Sequence, residues 1–206
     1  MPNLINFHTQ QHCIIPHWPN YPYFAVFRTC SDDDELPLLD RLADGKNTIF
    51  VIGLSSNKDE AFKYERDMQE WVSLPNIPTG RTGQGCGVVR DNSGKIEVIV
   101  FGGEEGSDST PDPERVDIVE IFDVDENSWR TASNPFPTEI TSPSVAQHDN
   151  MFYVVGGIDD GDNRLDTIYR YEATDESWQL MPNRMKFGRY EATSMMVNAS
   201  IFPSCD

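Results

Sequence analysis

Three times along this chain an aromatic residue is followed, after six intervening positions, by a tryptophan: Tyr64 to Trp71, Phe122 to Trp129 and Tyr171 to Trp178. The second and third copies also carry a hydrophobic run closed by a glycine pair, Ile99-Val100-Phe101-Gly102-Gly103 and Tyr153-Val154-Val155-Gly156-Gly157. The first copy keeps Ile49-Phe50-Val51-Ile52-Gly53 but has Leu54 in place of the second glycine. A period of about 50 residues built from short β runs fits propeller blades, not a helical repeat. The expected fold is all-β, with each blade a four-stranded antiparallel sheet.

The order of a Gly-Gly doublet, a later aromatic and a tryptophan resembles the kelch repeat. The resemblance covers the chain from about Thr48 to the C-terminus. It marks Gly53, Tyr64, Trp71, Gly102, Gly103, Phe122, Trp129, Gly156, Gly157, Tyr171 and Trp178 as structural repeat positions. The other common propeller repeat, WD40, would show Gly-His and Trp-Asp pairs. Neither dipeptide occurs here.

Each copy reads as four strands separated by turn residues. In the second, Gly85-Cys86-Gly87-Val88-Val89 is the innermost strand and Asp91-Asn92-Ser93-Gly94 a hairpin turn. Lys95 to Phe101 is the second strand, Val116 to Val124 the third, and Trp129-Arg130-Thr131 begins the fourth. The third copy repeats this with Ser144 to Ala146, Asn150 to Val155, Thr167 to Tyr171 and Trp178 to Leu180. The aromatic and the tryptophan then face each other across adjacent strands and pack as wall material.

The clear repeat opens at a second strand, Thr48 to Ile52, and Arg189 to Val197 looks like a first strand with nothing after it. Joined, they would make a composite blade that removes open sheet edges. Residues 1–47 have no doublet and no aromatic-to-Trp spacing. Their prolines and the run Asp32-Asp33-Asp34-Glu35 read as an irregular segment, with a degenerate blade around Tyr21 to Phe27 as the alternative. Residues 48–206 form the propeller region. Three blades cannot surround a channel, since closed propellers use about four to eight. The reading is a partial propeller, a fragment of a larger ring.

With 16 basic and 34 acidic residues the formal charge is −18. Nucleic acid is not an expected partner, because affinity for it rests on Lys and Arg neutralising phosphates. An anionic membrane surface is excluded for the same reason. The acidic surface is either a solvated exterior or a docking face for a basic partner. No apolar run reaches the roughly 18 residues that span a bilayer.

The histidines, His8, His12, His17 and His148, form no metal-ligand pattern, and Cys13, Cys30, Cys86 and Cys205 have no CxxC spacing. No cofactor is expected. Acidic stretches follow both doublets, Glu104-Glu105-Gly106-Ser107-Asp108 and Ile158-Asp159-Asp160-Gly161-Asp162-Asn163. They lack the ligand order of a calcium-binding EF-hand and read as solvated loops where recognition residues can sit. Cys86 and Cys205 would be neighbours if the ring closed directly, and a disulfide there, with Asn198 of Asn-Ala-Ser as a glycan acceptor, would point to an extracellular protein. Unpaired thiols would leave a cytoplasmic one.

No catalytic constellation is visible. The resemblance implies a non-catalytic protein-protein interaction module, a scaffold or a docking unit for substrates or actin. The alternative within the same resemblance is an enzyme, a copper galactose oxidase-like oxidase or a sugar isomerase. The copper chemistry would need His, Tyr and Cys converging near the axis, where His148 is the only histidine of the repeat region.

Overall fold

The computed structural model describes residues 23–25, 48–53, 58–65, 68–90, 93–105, 114–148, 151–192 and 194. These residues contain strands and turns and no helix. Three four-stranded sheets follow one another along the chain. Blade 1 is β1 (Tyr23–Ala25), β2 (Thr48–Ile52), β3 (Ala61–Glu65) and β4 (Glu70–Leu74), in that spatial order. Short β5 (Arg81–Thr82) leads into blade 2, which is β6 (Gly85–Arg90), β7 (Ile96–Phe101), β10 (Val119–Asp123) and β11 (Ser128–Thr131). Between β7 and β10 lie short β8 (Glu104–Glu105) and β9 (Glu114–Arg115). Blade 3 opens with short β12 (Ile140–Thr141) and contains β13 (Ser144–His148), β14 (Met151–Val155), β16 (Ile168–Glu172) and β17 (Ser177–Leu180), with short β15 (Ile158–Asp159) after β14.

The antiparallel architecture expected from the repeat is present in blades 2 and 3 throughout. Blade 1 departs from it at one place. Its innermost position, which the sequence reading gave to Arg189 to Val197, is taken by β1, paired in parallel with β2 through Tyr23↔Thr48 and Ala25↔Phe50. A parallel pair needs a connection of a dozen or more residues, and residues 26–47 are long enough to supply it. The described residues at 189–192 form no strand. So one part of the segment read as irregular contributes to a blade.

Blade 2 has neighbours on both sides, and all six residues of β7 are buried. That is why its sequence is a continuous apolar run broken only by Glu97, which pairs with Arg130 at 2.9 Å. Two cores result. One joins blades 1 and 2 around Phe50, Ile52, Leu74, Ile77, Val88, Val98, Val100 and Phe122. The other joins blades 2 and 3 around Ile99, Phe101, Phe136, Phe152, Val154 and Tyr171.

Turn chemistry closes the hairpins. At Asp123 the carboxylate accepts backbone N–H bonds from Glu126 at 2.8 Å and Asp125 at 2.9 Å, and Lys95 lies 3.2 Å away. The Glu126 N–H is the main reason this carboxyl is held below the usual range, with Lys95 adding to it.

Candidate functional site

The glycines that close the second strands lie where the chain passes between blades. Gly53, Gly102, Gly103, Gly156 and Gly157 all have positive φ, from 63° to 112°. A Cβ on Gly102 would stand 2.5 Å from the Ile140 carbonyl oxygen, and one on Gly156 would strike the Arg189 carbonyl. Both constraints, left-handed backbone and close approach, select glycine. In each doublet the second N–H binds the following link: Gly103 donates to Ile140 O and Gly157 to Arg189 O, both at 2.7 Å.

A second set of backbone bonds runs across the blades at the same end. The Ser142 N–H donates to Gly83 O at 2.7 Å, and the Glu191 N–H donates to Ser142 O at 3.0 Å. All three residues have positive φ, at 70°, 52° and 50°. Sequence reading missed this ladder. Gly83, Ser142 and Glu191 share no side-chain chemistry, so backbone bonding left no motif to find.

Beneath the ladder Arg81 is fully buried and forms an ion pair with Glu120. Its guanidinium also donates to Thr79 O at 2.9 Å, while Glu120 accepts the Thr79 N–H at 3.1 Å. Burial pushes the Arg81 guanidinium below its ordinary value despite the Glu120 charge, which opposes that shift.

Of the acidic stretches after the doublets, the structure describes Glu104, Glu105 and Asp159 to Asn163, which are largely solvent-exposed and are held at their strand ends by short ladders. Glu104 pairs with Thr82 and Arg115, and Asp159 pairs with Ile140, in small antiparallel ladders. Arg115 joins the two stretches: it contacts Glu104 at 3.4 Å in its own blade, Asp162 at 2.6 Å in blade 3, and the Asp159 carbonyl. Burial pushes the Asp159 carboxyl up, but N–H donors from Asn163 and Gly161 and the Arg115 charge bring it below the ordinary range. Asn163 donates from its backbone at 2.8 Å and from its side chain at 3.0 Å. The result is one rim shared by two blades, in which Glu105, Glu114, Asp160 and Asp162 are solvent-exposed.

The repeat aromatics face one another in register. Ring centroids are 5.2 Å apart for Tyr64 and Trp71, 5.0 Å for Phe122 and Trp129, and 4.8 Å for Tyr171 and Trp178. They sit in the blade walls, away from the rim. Trp129 donates its indole N–H to Pro75 O in the preceding blade at 2.7 Å. Cys86 is buried in the core between blades 1 and 2. Cys205, Asn198 and the histidines of the N-terminal segment lie outside the described residues, as does Leu54. Among the described residues no three His, Cys, Asp or Glu side chains are grouped to hold a metal ion.

Residues 141–185 match the Kelch motif. The chain is 26% identical over 147 residues to Kelch-like protein 40 of Xenopus tropicalis, covering 67% of this chain and 22% of that protein. It is 26% identical over 175 residues to Kelch-like protein terF of Aspergillus terreus, covering 82% of this chain and 35% of that protein. It thus spans about a fifth to a third of these relatives' lengths. The solved structure of YjhT matches the fold with a TM-score of 0.56 at 16% identity, over 69% of this chain and 49% of that one.

Proposed function

Since this is a kelch-repeat chain folded as propeller blades, we propose that it is a non-catalytic protein-binding module whose acidic rim docks a basic segment of a partner protein. The observation that carries this reading is Arg115, which ties the stretch after the blade 2 doublet to the one after the blade 3 doublet. Glu104 and Asp162 are thereby held beside one another at the ends of the blade sheets, the placement in which recognition residues are effective. The exposed carboxylates around it outnumber the cations and would steer a Lys- or Arg-rich segment, an attraction that salt screens over about 10 Å at 0.1 M. The relatives' names are consistent with interaction proteins and select no partner.

Affinity capture with wild-type protein and with a rim variant tests the reading. The variant combines Glu105→Gln, Glu114→Gln, Asp160→Asn and Asp162→Asn. The expected result is a set of partners with basic segments that is released by salt and lost with the variant. Identical capture by both proteins would refute the rim as the docking surface, and stoichiometric copper in the purified protein would overturn the non-catalytic reading.

A further inference from the structure

The contact between blades 2 and 3 sets one cation among carboxylates, and each of its three nitrogens has a partner. Arg115 Nε lies 3.4 Å from Glu104 Oε1, Nη2 lies 2.6 Å from Asp162 Oδ1, and Nη1 donates to the Asp159 carbonyl. One cation against two carboxylates leaves the group negative. Only 18% of the Arg115 side chain is exposed, so it presents little free charge to a ligand.

Asp162 is the reverse case, with 83% of its side chain exposed. Its Oδ1 is engaged by Arg115, and a carboxylate has a second oxygen that also accepts. The turn that carries it is fixed by its own bonds: the Asp162 N–H donates to Asp159 O at 3.1 Å, and the Asn163 N–H donates to the Asp159 carboxylate at 2.8 Å. Arg115 then fixes the side chain. An exposed carboxylate held in this way is immobilised on folding, so binding does not bear that ordering cost.

Two effects of Arg115 on a basic ligand therefore oppose each other. Its charge repels the ligand, and its bonds place an acceptor for it. The repulsion is the weaker effect, because two carboxylates neutralise the guanidinium at contact distance. We propose that Arg115 is a positioning residue of the rim: it holds the Asp162 carboxylate of blade 3 beside Glu104 of blade 2, so that one cationic side chain of the partner meets acceptors from both blades. Removing this cation weakens the binding of a basic segment, the opposite of what losing a positive charge alone would do. The role rests on the rim being the docking surface.

Fluorescence anisotropy with a labelled oligolysine peptide at about 0.1 M salt tests it. Wild type should bind, and Arg115→Met should bind at least about threefold more weakly. Arg115→Lys keeps the charge without the planar fork, and should also bind more weakly than wild type. Asp162→Asn should cost at least about threefold in wild type and less than about twofold in the Arg115→Met background, where the carboxylate is no longer placed. Near-UV circular dichroism checks folding, and Arg115→Lys carries the test if the methionine variant does not fold. Tighter binding by Arg115→Met overturns the role. So do equal affinities of Arg115→Lys and wild type, or an Asp162→Asn cost that is the same in both backgrounds. Failure of the docking reading looks different: wild type and the combined Glu105→Gln, Glu114→Gln, Asp160→Asn and Asp162→Asn variant would bind the peptide alike, and the role would fall with it.

Discussion

The two contacts between blades solve one packing problem with different chemistry. Between blades 1 and 2 the core is chiefly aliphatic, with Phe50 and Phe122 edge-on at 6.4 Å, and the slot at its end holds the Arg81–Glu120 ion pair. Between blades 2 and 3 the core is aromatic. Phe101, Phe136, Phe152 and Trp178 pack with centroids 4.7 to 5.9 Å apart, and the slot is occupied by Ile140 and Tyr169. The repeat therefore transmits the shape of the slot and leaves its polarity free. A buried ion pair is weak evidence for stability, because desolvation offsets most of the Coulombic gain.

The largest effect should come from breaking that pair. Glu120→Ala leaves Arg81 buried without its carboxylate and should cost about 3 to 5 kcal/mol, read from urea denaturation. The double change Arg81→Ile with Glu120→Tyr gives blade 2 the residues of blade 3, and should bring stability back to within about 1 kcal/mol of wild type or above it. If the double variant is as unstable as the single one, the two slots are not interchangeable.

On the aromatic side, Phe152→Ala removes a fully buried ring stacked on Phe101 and Tyr171 and should also cost about 3 to 5 kcal/mol through the cavity it leaves. A loss below about 1 kcal/mol would show that the neighbouring rings collapse into the space. Gly102→Ala forces a side chain into the left-handed region against Ile140 O, and a cost of about 1 to 3 kcal/mol is expected from thermal or urea unfolding.

The smallest expected difference distinguishes Phe122 from its counterpart Tyr171. The Tyr171 hydroxyl is buried and makes no hydrogen bond among the described residues. Burial, reinforced by Glu176 and Glu97, pushes its pKa above the ordinary value. A group raised in the folded state contributes stability that is complete below the unfolded pKa, about 10 for tyrosine, and is lost as pH rises toward the folded value. Urea midpoints measured on both sides of about pH 10 should fall more for wild type than for Tyr171→Phe. At neutral pH the substitution should be neutral or mildly stabilising, because no hydrogen bond is removed.

Much of the blade was legible because the repeat exposes it. The aromatic and tryptophan lie directly opposite each other in every copy, since a fixed hairpin length between them sets the register. Strand limits differed modestly. Residues 116–118, read as part of the third strand, instead link it to the rim, where the Val116 N–H binds Gly103 O at 3.0 Å. The apolar run Tyr21 to Phe27 was legible only as an alternative, a degenerate blade, and the parallel pairing of β1 with β2 was not, because three residues without a doublet carry no periodic signal. The rim was visible as acidic composition only. Its assembly by Arg115 depends on a contact 47 residues along the chain, between Arg115 and Asp162.

By itself, the sequence determined the blade: short alternating strands, turns at fixed offsets, and glycines where the backbone must turn left-handed under another chain segment. These are local requirements, each imposed by residues a few positions apart, so spacing alone reveals them. The tertiary structure decided how blades meet. It selected an ion pair for one slot and Ile140 with Tyr169 for the other, and joined the ladder through backbone groups that no side chain announces. Those outcomes depend on residues brought together from different repeats, where burial and electrostatics are set by neighbours that the linear order does not place side by side.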